Sequence, residues 1–117
     1  MPNEHWEQRQ LAAALRRARV RFCHVPNGDR MNKKLSVMLA LEGVHEGVPD
    51  VLVFDPPPAM PGGVGTALEL KVVLGGAVSV AQREWLSALG QRGWATVIAH
   101  GYEDALRQLG DLGYPVR

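Results

Sequence analysis

The sequence predicts an α/β domain, a four-stranded mixed sheet flanked by helices in the order αβαββαβα. Three observations carry that expectation. Segments with apolar residues at helical spacing alternate with short β-branched and aliphatic runs. Two of those runs, Val51 to Phe54 and Thr66 to Val73, are joined by the Pro- and Gly-rich loop Asp55 to Gly65, short enough for the runs to pair as an antiparallel hairpin. The 117 residues, 46% of them hydrophobic, give room for a single domain, 1–117, with one sheet and a few helices.

Glu4 to Arg19 reads as an amphipathic helix with Leu11, Ala14, Leu15 and Ala18 as its apolar stripe. At about 100° per residue, Leu11 and Leu15 bracket the direction of Glu4. Glu4 therefore points inward with Gln8 one turn behind it, while Glu7 falls nearer the edge of the stripe. Val20 to Val25 is the first strand, and Cys23 within it reads as a buried, inert thiol. One cysteine supports neither an internal disulfide nor a zinc site. Met31 to Leu41 is a second helix with Leu35, Met38 and Leu39 apolar and its methionines in the core, stopping near Gly43. The hairpin strands follow. Ser79 and Gln82 then make a capping-box pattern opening a third helix, which places Trp85, Leu86 and Leu89 inward and ends at Gly93. Trp94 to Ala99 is the fourth strand, and Tyr102 to Leu112 closes the chain as a helix with Ala105, Leu106 and Leu109 facing the core.

Chemistry concentrates in Gly47-Val48-Pro49-Asp50 and Glu69-Leu70-Lys71. Glu69 and Lys71 are two apart on a strand, so they project from one face, and hairpin pairing brings Asp50 beside Glu69. Two close carboxylates repel and are costly to ionise unless a divalent cation accepts an oxygen from each. Such an ion suits phosphodiester hydrolysis, which needs a polarised phosphoryl oxygen and an activated water. Lys71 adds a positive charge that either orients or deprotonates the water, or contacts the phosphate. Gln82 has two readings, as the capping-box partner of Ser79 and as an amide that reaches the site on the same face as Trp85 and Leu86.

These blocks, together with Glu4 and Gln8 in the opening helix, His24-Val25-Pro26-Asn27-Gly28 with Arg30, and Ser79 with Gln82, resemble the VRR-Nuc (virus-type replication-repair nuclease) family of the PD-(D/E)XK superfamily nearly from end to end. The resemblance implies a restriction-endonuclease-like core and metal-dependent cleavage of DNA. It places Asp50, Glu69 and Lys71 at the catalytic positions; the site reading adds Gln82 to them and expects Glu4, Asp50, Glu69 and the Leu70 carbonyl as ligands of magnesium or manganese. The family often follows its E-x-K with a basic residue or with Pro and Gly, whereas Lys71 is followed by Val72-Val73-Leu74 before Gly75-Gly76. Stand-alone phage and bacterial members resemble branched-DNA endonucleases acting as symmetric dimers, so the implied activity is cutting of four-way junctions by a homodimer. Trp6, Trp94 and the apolar side of the closing helix are the expected interface.

Composition sets limits on this reading. Thirteen Lys and Arg against twelve Asp and Glu leave a net charge of +1, so any DNA contact must come from a local patch. Candidates are Arg16, Arg17, Arg19 and Arg21 at a helix end, and the turn after the first strand, where His24, Asn27, Arg30, Lys33 and Lys34 are expected on DNA. His5, His45 and His100 are scattered, with no His/Cys spacing suited to zinc and no Gly-rich loop of nucleotide-binding type, so no nucleotide cofactor is expected. There is no apolar run long enough to span a bilayer and no signal-peptide pattern at Met1 to His5, which points to a soluble intracellular protein, and the resemblance implies the cytoplasm of a bacterial or phage-infected cell. Three other readings compete: a flap or nicking nuclease serving a replication-repair complex, a non-catalytic DNA-binding module of the same fold, and a small protein-interaction domain.

Overall fold

The computed structural model describes residues 3–26 and 33–116. Its elements are α1 (Glu4–Arg17), β1 (Phe22–His24), α2 (Lys33–Leu41), β2 (Val51–Val53), β3 (Thr66–Lys71), α3 (Val80–Gln91), β4 (Ala95–His100) and α4 (Tyr102–Asp111). The order is the one the sequence predicts. The sheet runs β1-β2-β3-β4, with β1, β2 and β3 antiparallel in turn and β4 parallel to β3. The hairpin register pairs Val51 with Leu68 and Val53 with Thr66.

Alternation along the strands separates two faces of the sheet. Val51, Val53, Leu68, Leu70, Val97 and Ala99 face α1 and α4 and form the core with Leu11, Leu15, Ala105 and Leu109. On the other face α3 packs over β3 and β4. Covered on both sides, β3 is buried from Thr66 to Leu70, so the carboxylate of Glu69 lies deep in the sheet.

Boundaries differ from the sequence reading where local hydrogen bonding decides them. The first helix stops at Arg17, because Val20 N–H donates to the Leu15 carbonyl at 3.1 Å and Arg19 N–H to the Arg16 carbonyl at 3.0 Å. That closes a Schellman turn with Arg19 at φ 58° and Val20 tucked into the core. The first strand keeps only three residues, at the sheet edge, where Cys23 is exposed instead of buried. Cys23 projects from the face opposite α1 and α4, outside the core cluster.

α2 departs furthest from expectation. Leu35, Val37, Met38 and Leu41 are exposed, as is Val44 just beyond the helix, so the stripe assigned to the core faces solvent. Among the described residues α2 packs against no other element to any extent. Met31 lies outside the described residues. The expected interface aromatics are half-buried: Trp6 meets Tyr102 edge-on with ring centroids 5.4 Å apart, and Trp94 packs beside Gly65. The apolar side of α4 is used internally, with Ala105 and Leu109 fully buried.

Candidate active site

Asp50 sits immediately before β2 and Glu69 within β3, and the antiparallel register sets them side by side. Both are buried, Asp50 to 4% exposure and Glu69 to 1%. Asp50 is fixed through side chain and backbone. Its Oδ2 accepts the Leu70 N–H at 2.8 Å, and its carbonyl accepts the Val25 N–H at 2.7 Å and lies 2.8 Å from His24 Nδ1. The approach of this loop to α3 depends on Gly47, which has φ 86° and whose missing Cβ would lie 2.6 Å from the Ala81 carbonyl carbon. Only glycine fits there.

Glu69 is under electrostatic stress. Burial, the charge of Asp50 and a side-chain hydrogen bond with Asp50 push its carboxyl up to about 8, with Lys71 opposing the rise and Glu4 adding to it. Its Oε1 accepts Gln82 Nε2 at 2.9 Å, whereas its Oε2 is buried and, once the Asp50–Glu69 pair is fully ionised, has no hydrogen-bond partner. A buried carboxylate oxygen left open costs free energy that a cation would recover.

Gln82 fulfils both of its sequence readings at once. Its backbone N–H donates to Ser79 Oγ at 3.1 Å, and its Oε1 accepts the Ser79 N–H at 2.8 Å, completing the capping box of α3. The same Oε1 accepts Lys71 Nζ at 2.9 Å. Lys71 Nζ is also 3.9 Å from Glu69 Oε1, so strand, helix start and ammonium form one network.

This network opens into a cavity of about 650 Å³ lined by Glu4, Glu69, Lys71, Gln82 and Ser79, with Ser36, Leu39 and Ala40 of α2 forming one wall. Glu4 reaches the cavity from the first turn of α1, where Asn3 Oδ1 caps the Trp6 N–H at 2.9 Å. Among the described residues no three His, Cys, Asp or Glu side chains converge on one point. The buried Asp50–Glu69 pair, with an open oxygen and Glu4 across the cavity, nevertheless fits a hard divalent ion. The donor set is all oxygen.

A comparison with family profiles found no match, and one with curated proteins found none either. Among solved structures, a VRR_NUC domain protein superimposes with a TM-score of 0.74 at 16% identity, covering 97% of this chain and 88% of that one. This chain has the VRR-Nuc fold. The agreement extends over the mixed sheet and the four helices, as the sequence resemblance led us to expect.

Within the VRR-Nuc fold, the structure sets Glu4, Glu69, Lys71 and Gln82 around one cavity, with Asp50 beside Glu69 and tied to the Leu70 backbone. His24 is engaged with the Asp50 carbonyl. Lys34 is exposed at the start of α2, whereas Asn27, Arg30 and the Lys33 side chain lie outside the described residues. Gln8 has a buried Nε2 without a partner. Glu7, placed by the sequence at the edge of the stripe, is instead buried, and its Oε2 accepts the Tyr102 N–H at 2.6 Å. The only sequence signal for it was its position one turn after Glu4.

Proposed function

We propose that this domain is a metal-dependent DNA endonuclease that hydrolyses phosphodiester bonds, acting as a homodimer on branched DNA such as four-way junctions. The observation that carries this reading is the buried Asp50–Glu69 pair, whose Glu69, with an open oxygen and a lysine fixed beside it, lines an open cavity. The shared VRR-Nuc fold supports it.

Asp50, Glu69 and Glu4, with the Leu70 carbonyl, would hold magnesium or manganese. When bound, such an ion supplies Lewis-acid polarisation of a phosphoryl oxygen and a water acidic enough to attack near neutral pH. The protein's own groups do the positioning. The Leu70 N–H holds one oxygen of Asp50, and Gln82 Nε2 holds one oxygen of Glu69, leaving Glu69 Oε2 available to a ligand. Lys71, anchored on Gln82 Oε1, presents its ammonium to the scissile phosphate or the attacking water. A backbone phosphate would enter the cavity between Lys71 and Glu4, which both line it.

Dimerisation falls to α2 in this reading, since its apolar face is exposed and the surfaces expected from the sequence are used inside the domain. No helix among the described residues is long and apolar enough to cross a bilayer.

The test is cleavage of labelled four-way junction, flap and linear duplex DNA with magnesium, manganese or chelator, by wild type and Lys71→Ala. Metal-dependent cutting of the junction that is lost in the variant is the expected result. Cutting confined to the flap would shift the substrate to flap processing, and binding without cutting on every substrate would leave a DNA-binding module.

A further inference from the structure

We infer that Glu7 is a positioning residue that fixes Glu4 over the Asp50–Glu69 pair by fastening the first turn of α1 to the start of α4. The inference rests on the metal-site reading above and adds to it a residue that lies outside the cavity lining.

The core holds α1 only from Leu11 onward, through Leu11, Ala14 and Leu15. The turn that carries Glu4 has no core leucine. It is fastened instead at Tyr102, whose ring meets Trp6 edge-on and whose N–H donates to Glu7 Oε2 at 2.6 Å. Glu7 is 4% exposed, which makes it a buried carboxylate serving a helix end ninety-five residues away in sequence.

The start of α4 is arranged to receive it. Gly101, the N-cap residue, has φ 92° and makes no side-chain cap, so the orphan N–H of Tyr102 is left for a tertiary partner. The carboxylate also meets the positive end of the α4 dipole. Glycine is favoured at 101 by its φ of 92° and by Val73 Cγ2, which would lie 2.7 Å from an added Cβ, while both Glu7 carboxylate oxygens would sit at contact distance from it, 3.5 Å. Gly101 in turn donates its N–H to the Lys71 carbonyl at 2.8 Å. A continuous path therefore links the strand that carries Glu69 and Lys71, through Gly101 and Tyr102, to Glu7 and the turn that carries Glu4. Metal ligands function within tolerances of roughly 0.5 Å, and a helix start without such a tether frays.

The experiment is manganese titration read by thermal shift and by calorimetry at a temperature where every variant is folded, with no DNA present. Glu7→Gln keeps a carbonyl acceptor for the Tyr102 N–H and should bind manganese as wild type does. Glu7→Ala and the bulkier Glu7→Met, which fills the buried volume without an acceptor, should both weaken it by on the order of tenfold. In a Glu4→Gln background the Glu7→Met substitution should cost no further affinity, because its effect passes through Glu4. A wild-type response unchanged in Glu7→Met, a loss in Glu7→Gln as large as in Glu7→Met, or additive losses in the double variant would each overturn the assignment of Glu7 while leaving the metal site standing. Absence of any manganese response in wild type would overturn both.

Discussion

α1 and α2 both border the cavity, yet they are attached to the protein in opposite ways. Each shows leucines at helical spacing. In α1 these are fully buried against β3 and α4, whereas in α2 Leu41 is 85% exposed and the wall it belongs to stands away from the core. The side chains that need fixed geometry, Glu4, Glu69, Lys71 and Gln82, come from the packed elements α1, β3 and α3. The wall contributed by α2 supplies shape and an apolar outer surface. Apolar periodicity shows that a helix has a face to bury, and only the surrounding chain, or a partner, determines what covers it.

The comparison is sharpest in activity. Lys71→Ala should reduce DNA cleavage by at least about a hundredfold in single-turnover assays with magnesium, with the fold retained by circular dichroism. Substitutions at Leu39 or Ala40, on the α2 wall, should alter substrate preference more than rate. In stability the largest difference is between cores: Leu68→Ala should cost about 3 kcal/mol in urea unfolding. Met38→Ala and Leu41→Ala should stay within about 0.5 kcal/mol for the monomer, so a larger loss would show that α2 is covered in solution. Sedimentation of Leu41→Glu would then show whether the cover is a second copy.

Glu69 gives a pH-dependent contrast within the packed half. Its folded-state value of about 8 lies above the ordinary 4.5, so between these the metal-free folded protein binds more protons than the unfolded chain. Stability in chelator should therefore fall as pH rises from about 4.5 to 8, with Tm dropping by at least about 5 °C. Glu69→Gln should flatten that fall, and magnesium should reverse it in wild type by binding the ionised pair. The smallest expected effect is at a cap, where Ser79→Ala should cost about 1 kcal/mol.

Much of this was legible in the chain because its signals are local. The Ser79/Gln82 capping box and the strand parity of Glu69 and Lys71 depend on neighbours a few residues apart, and both hold in the structure. Asp50 was placed beside Glu69 by the hairpin alone, and the register confirms it. What stayed hidden depends on distant partners. Glu7 reads as a stripe-edge glutamate until the uncapped start of α4 is known to lie against it, and Cys23 reads as core until β1 is found at the sheet edge. The leucines of α2 carried the right periodicity and the wrong inference, because that helix stands over a cavity and not over a core.

Gln82 also bears on how this protein can change. Its carboxamide uses both ends, the oxygen shared between a helix start and an ammonium and the nitrogen given to a carboxylate. Glutamate at this position would keep the oxygen but set a third negative charge against Glu69, and methionine would keep the volume but release the helix, the lysine and the glutamate together. Drift at this position is therefore closed to single steps. Loss of the chemistry at Lys71 and Glu69 would remove two of its three obligations and leave only the helix cap, so the identity of residue 82 should relax once the site falls silent.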